Sequence, residues 1–193
     1  MTASFSFYPG KLGAFGDGGA VVSSKREIVD SVRRWANYGS TVKYHHDAIG
    51  LNSRFDELQA AFLAVELAAA GGWTKHRRAI ADRYTQHLGS LEGLKLPAVA
   101  RGAEPAQHLY VVRHKARDTA ARELAARGVE TLIHYPIPPH RSKALEHHFR
   151  GLSLPVTEET CRTCLSLPMG PHLTSAEAQR VVDASKAAVR ALD

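Results

Sequence analysis

Cysteine, long apolar runs and excess charge of one sign are all scarce in this sequence, and each shortage narrows what the chain can be. Two cysteines in 193 residues cannot build the disulfide framework of a small secreted domain, which agrees with a reducing compartment. No stretch approaches the roughly 20 consecutive apolar residues needed to span a bilayer. Residues 1–10 have neither the basic nor the apolar region of a signal peptide, so the sequence reads as cytoplasmic, with no membrane partner. Lys+Arg number 25 against 19 Asp+Glu, a net charge of +6. So modest an excess attracts anions in general and selects none. A nucleic-acid module is disfavoured, because no strand motif interleaves aromatic and basic residues. There is no internal repeat and no low-complexity segment.

What is present is ordinary globular content, 44% hydrophobic and 23% charged, enough to bury a core in one domain or two small ones. Phe5, Phe7 and Tyr8 lead into a glycine-rich stretch over residues 10–19, and Ala20-Val21-Val22 reads as a short buried strand without sheet neighbours. This apolar opening is abrupt, as though further sequence preceded it. Ser24 is placed to cap a helix in which Ile28, Val29, Val32 and Trp35 recur at helical spacing, ending at Asn37-Tyr38-Gly39. A Tyr- and His-rich loop follows to Ser53. Phe55, Leu58, Ala61, Phe62, Val65 and Leu67 predict a well-buried helix over residues 54–70, which Gly71-Gly72 interrupts. A second helix is expected over residues 73–91, with the domain boundary at its start. Beyond Pro97 the pattern is α+β: a strand over 108–114, a helix over 118–127 stopped by Gly128, and a strand over 130–134. A proline-rich turn, a helix over 156–163, a strand over 165–167 and a Thr174-capped helix to Leu192 complete it.

The segment richest in chemistry is Ser6-Phe7-Tyr8-Pro9-Gly10-Lys11, followed by Leu12-Gly13-Ala14-Phe15-Gly16-Asp17-Gly18-Gly19. A lysine between an aromatic-rich strand end and a chain of glycines can be desolvated, which frees its neutral amine to attack a carbonyl. A phosphate-binding P-loop needs Ser or Thr after Gly-Lys, and Leu12 stands there instead; the glycine spacing does not make a dinucleotide fingerprint either. From spacing alone, a surface lysine beside a flexible turn accounts for the same residues. Cys161-Arg162-Thr163-Cys164 has redox or zinc spacing but no second pair and no preceding βαβ pattern. His45-His46 and His147-His148 lack the spacing of a zinc helix, so no metal site is expected.

The same segment is similar to the Schiff-base loop of the DegT/DnrJ/StrS sugar aminotransferases, and the similarity runs in order along essentially the whole chain. Asn37-Tyr38-Gly39, Gly50-Leu51-Asn52-Ser53-Arg54-Phe55-Asp56-Glu57-Leu58-Gln59-Ala60-Ala61, His108-Leu109-Tyr110-Val111-Val112, His134-Tyr135-Pro136 and Leu165-Ser166-Leu167-Pro168 each resemble a run of that family. The resemblance implies an α/β, partial fold-type I aminotransferase. Residues 1–72 are then the C-terminal remnant of the large domain that binds pyridoxal 5′-phosphate, and residues 73–193 a small α+β domain. Lys11 would form the Schiff base with the cofactor, and Ser6 would hydrogen-bond its phosphate. Asn52 would reach the phosphate of a neighbouring subunit across a dimer interface, although a helix N-cap explains it as well. His134 and Tyr135 would lie near the substrate entrance, although an edge-strand turn accounts for them equally well. Arg54 and Asp56 admit two readings, an active-site ion pair or a carboxylate at the positive end of a helix.

The implied reaction moves an amino group from glutamate to a nucleotide-linked keto sugar, with Lys11 also carrying the proton. The resemblance has two gaps. The family has a preceding segment that supplies an Asp for the pyridinium nitrogen, a stacking aromatic and further phosphate donors. It also usually has one more residue between the lysine and the Leu-Gly pair, whereas Leu12 follows Lys11 directly. The alternative expectation is therefore a non-catalytic remnant, or a subunit whose partner supplies the other half.

Overall fold

The computed structural model describes residues 1–12 and 16–192. Gly13, Ala14 and Phe15 of the glycine stretch, including part of the Leu-Gly pair after Lys11, lie outside the described residues. The chain divides into two units, Met1–Gly72 and Trp73–Asp193.

In the first unit, β1 (Thr2–Ser6) pairs antiparallel with β2 (Gly19–Ser23), from Thr2 opposite Ser23 to Ser6 opposite Gly19. The β-branched run does form a strand. It is neither neighbourless nor buried, however, and Val22 is 51% exposed, because an antiparallel pair by itself brings no second layer to cover its face. Helix α1 (Arg26–Ala36) follows without the predicted Ser24 cap. The Ser24 hydroxyl bonds back to Met1 instead, while the Ser23 Oγ accepts the Lys25 N–H at 3.1 Å. The helix ends at Tyr38 and Gly39, with φ of 58° and 73°. A Cβ on Gly39 would fall 1.6 Å from the Ala48 carbonyl oxygen, so only glycine fits there. The expected loop after it contains a small hairpin, β3 (Ser40–Val42) and β4 (His45–His46). Strands of two and three residues are too short to show a sequence period.

The two helices predicted around Gly71-Gly72 are one, α2 (Glu57–Leu88). A helical glycine weakens the helix by about 1 kcal/mol relative to alanine and need not break it. The first half of α2 is not well buried: Leu58 is 71% and Val65 72% exposed, and Leu63 is the fully covered apolar side chain.

The second unit takes the rest of α2, then β5 (Tyr110–Arg113), α3 (Arg117–Ala126), α4 (Pro155–Thr163), β6 (Cys164–Leu167) and α5 (Ser175–Arg190). Strands β5 and β6 pair antiparallel from Tyr110 opposite Leu167 to Arg113 opposite Cys164. Single bridges add Lys95 to β5 and Leu132 to β6. That Leu132 bridge is all that forms of the strand predicted over 130–134. Pro136, Pro138 and Pro139 follow at once and cannot donate to a ladder. The core joins Ile80, Tyr84 and Leu88 of α2 to Val112, Leu165 and Val182. Tyr84 meets Tyr110 edge-on at 5.2 Å and donates to the Pro168 carbonyl at 2.9 Å, which satisfies its buried hydroxyl. Helix α5 opens with a capping box between Thr174 and Glu177.

Candidate functional site

Two clusters hold the residues singled out by the sequence, one in each unit. In the first, β1 stops at Ser6, the Phe7 N–H bonds the Gly18 carbonyl, and the Lys11 N–H closes a turn onto the Tyr8 carbonyl, both at 2.8 Å. Ser6 and Lys11 therefore share one strand end and its turn. The returning limb is pressed onto the chain that leads into α2. A Cβ on Gly18 would fall 2.1 Å from the Phe55 ring, and one on Gly19 would fall 2.8 Å from the Phe5 carbonyl oxygen. The Phe7 and Phe55 rings lie 6.0 Å apart. The glycines allow this close approach. Lys11 is exposed, so the desolvation predicted for it is not provided within the first unit. Ser6 is exposed too, and its Oγ accepts the Tyr8 N–H at 3.3 Å.

Asn52 stands on a strap laid along the C-terminal end of α1, bridged to Asn37. The Leu51 N–H bonds the Trp35 carbonyl at 2.7 Å and the Tyr38 N–H bonds the Leu51 carbonyl at 2.9 Å. Gly50 permits the contact, since a Cβ there would sit 2.1 Å from the Gly39 nitrogen. Asn52 does not cap α2: the helix opens at Glu57, and the Ala60 N–H bonds the Asp56 carbonyl. The Asn52 Oδ1 instead accepts from the Arg54 Nε at 3.1 Å, and the Arg54 guanidinium lies 5.5 Å over the Tyr38 ring. Arg54 and Asp56 form no ion pair among the described residues; Asp56 bonds the Gln59 amide.

In the second unit, the His134 Nδ1 lies 2.8 Å from the Ser166 Oγ, and the Tyr135 ring stands edge-on to His134 at 5.4 Å, 66% exposed. His134 and Ser166 line a cavity of about 590 Å³ together with His172, Arg180, Leu132 and Met169. Sequence reasoning missed Ser166, His172 and Arg180 as cavity residues. The alternation in Leu165-Ser166-Leu167, which turns Ser166 away from the core, was the one available signal. Cys161 and Cys164 are free and buried. Burial pushes the Cys164 thiol up, and the buried Arg117 donates to both their carbonyls, at 3.3 and 3.1 Å. Among the described residues, no three His, Cys, Asp or Glu side chains are grouped to hold a metal ion, and no helix is long and apolar enough to cross a membrane.

Known proteins resemble this chain. Residues 1–186 match the DegT/DnrJ/EryC1/StrS aminotransferase family. The chain is 49% identical over 185 residues to a dTDP-3-amino-3,4,6-trideoxy-alpha-D-glucose transaminase of Streptomyces venezuelae, covering 94% of this chain and 48% of that one. It is 39% identical to a UDP-N-acetyl-3-dehydro-alpha-D-glucosamine 3-aminotransferase of Acidithiobacillus ferrooxidans, covering 92% and 48%. The crystal structure of S. venezuelae DesV in complex with a ketimine intermediate superposes with a TM-score of 0.97 at 45% identity, covering 100% of this chain and 52% of that one. The chain thus spans about half the length of the relatives it matches, and its fold is the corresponding part of an α/β fold-type I aminotransferase. It belongs to the DegT/DnrJ/EryC1/StrS aminotransferase family.

Proposed function

We propose that this chain carries the lysine-bearing half of a pyridoxal 5′-phosphate-dependent transaminase that moves an amino group from glutamate to a nucleotide-linked keto sugar. The observation that carries the reading is the turn that sets Ser6 and Lys11 at one strand end, in a chain whose relatives are nucleotide-sugar transaminases. The donors present fit the cofactor: an amine at Lys11, a hydroxyl at Ser6 and an amide at Asn52, each exposed. When bound, pyridoxal 5′-phosphate supplies an aldehyde that takes up amino groups and a ring that draws electrons from the substrate carbon. Lys11 holds it through the amine and carries the proton at Nζ to and from that carbon. Ser6 donates to its phosphate, a charge-assisted bond roughly twice as strong as a neutral one. Asn52, exposed on its strap, serves the phosphate of a two-fold mate in a homodimer. His134 and Tyr135 contact the sugar nucleotide. In this reading Met1–Gly72 is part of the large cofactor domain, Trp73–Asp193 is the small domain, and the enzyme is cytoplasmic.

The test is absorbance of the purified chain with added pyridoxal 5′-phosphate, followed by assay with glutamate and a panel of nucleotide-linked keto sugars. A visible band lost in Lys11→Ala supports the lysine assignment, and its persistence in that variant rejects it. A second reading has its own support. The apolar side chains left open in the first unit, Ile49 at 97% and Leu58 at 71% exposed, suit a chain that works only with a further polypeptide segment. Amino-sugar formation that appears only on co-expression of such a segment favours this reading. Robust Lys11-dependent turnover by the chain alone rejects it.

A further inference from the structure

Strand β6 reads Cys164, Leu165, Ser166, Leu167. Its leucines enter the core, while Cys164 and Ser166 turn to the segment that holds His134 and Tyr135. Leu132 and Ser166 exchange both backbone hydrogen bonds, at 2.7 and 3.3 Å. The two-residue period of extended chain then brings His134 to the same face, as a diagonal neighbour of Ser166. There the Ser166 Oγ meets the His134 Nδ1 at 2.8 Å. Ser166 is 4% exposed, and this ring nitrogen is the partner of its side chain among the described residues. A buried hydroxyl must give its hydrogen to an acceptor. When Nδ1 is that acceptor, the hydrogen of the neutral ring sits on Nε2, which no described protein group engages.

We propose that Ser166 is a positioning residue that holds the His134 ring as its Nε2–H tautomer by giving its hydroxyl hydrogen to Nδ1, so that His134 presents Nε2–H to a sugar oxygen as a hydrogen-bond donor. The proposal deepens the reading that His134 contacts the sugar nucleotide, and it rests on that reading. It also accounts for a polar residue on a strand that is buried along its whole length. With the hydroxyl removed, only the weaker intrinsic preference of the ring selects between its nitrogens, and the cavity loses a donor of defined direction.

The experiment is long-range proton–nitrogen NMR of the full chain labelled with nitrogen-15 in histidine, at a pH where His134 is neutral, for wild type, Ser166→Ala and Ser166→Thr. The expected result is a single Nε2–H tautomer for His134 in wild type, a mixture in Ser166→Ala, and return of the single form in Ser166→Thr, which keeps the hydroxyl. The amide spectrum of the second unit separates loss of this bond from loss of fold, and the wild-type spectrum is decisive without any variant. A proton on Nδ1 in wild type, or a tautomer ratio unchanged by Ser166→Ala, overturns the proposal. No turnover is involved, so a failure here is distinguishable from a failure of the transaminase reading.

Discussion

Helix α2 passes through both units, and its covering changes along the way. Leu58 and Val65 in the first unit are 71% and 72% exposed, whereas Tyr84 and Leu88 in the second are fully enclosed. The difference extends beyond the helix. Every member of the buried apolar cluster comes from residues 80–188, while Trp35, Val42, Ile49 and Leu51 of the first unit stand open. Apolar residues at helical spacing show which face of a helix avoids water. They do not show whether this chain supplies the surface that covers it.

Core truncation gives the largest expected effect. Leu88→Ala should cost about 2–5 kcal/mol, as for other buried leucines, whereas Leu58→Ala should stay within about 0.5 kcal/mol in the chain by itself. Hydrogen exchange of the amides of each unit, with and without each substitution, checks both. A large loss from Leu58→Ala would show that the first unit buries that face in solution. Thr174→Ala should cost about 1 kcal/mol, because it removes one side of the capping box at α5, and it should accelerate exchange in the second unit only. Gly71 and Gly72 have open space where a Cβ would go. Each change to alanine should therefore stabilise by about 0.4–1 kcal/mol, seen as slower exchange at the middle of α2.

The smallest effect depends on pH. The Leu154 N–H first, and then the His140 ring, hold the Glu158 carboxyl down to about 2. Its folded value lies below its unfolded one. This carboxylate therefore contributes stability above the usual carboxylate range, and the contribution is lost as pH falls towards about 2. Denaturant titrations at stepped pH should show the second unit weakening over that window, and Glu158→Gln should flatten that part of the profile.

Several elements were legible because their signals are local. The α5 cap is read from Thr174 and Glu177, and the stop of α3 from Gly128, whose φ is 74°. In both cases the chemistry lies within one turn of chain. The β3–β4 hairpin was not legible, because its strands are too short to carry a period. The strand expected over 130–134 shrank to one bridge because prolines end the ladder. Of the site, the sequence pointed to Lys11, Ser6, Asn52, His134 and Tyr135 through resemblance. It could not show that the Ser166 hydroxyl meets the His134 ring, since 32 residues separate them.

By itself, then, the sequence determined the order of most helices, the Thr174 cap, the Gly128 stop and membership of an aminotransferase family. Only the tertiary structure decided which apolar faces are covered, that α2 continues through two glycines, and that Ser166 faces His134. The physical reason is one of range. Caps and turns are settled by atoms a few residues apart, whereas close backbone approaches, burial and the pairing of distant side chains depend on what else the fold brings to the same place.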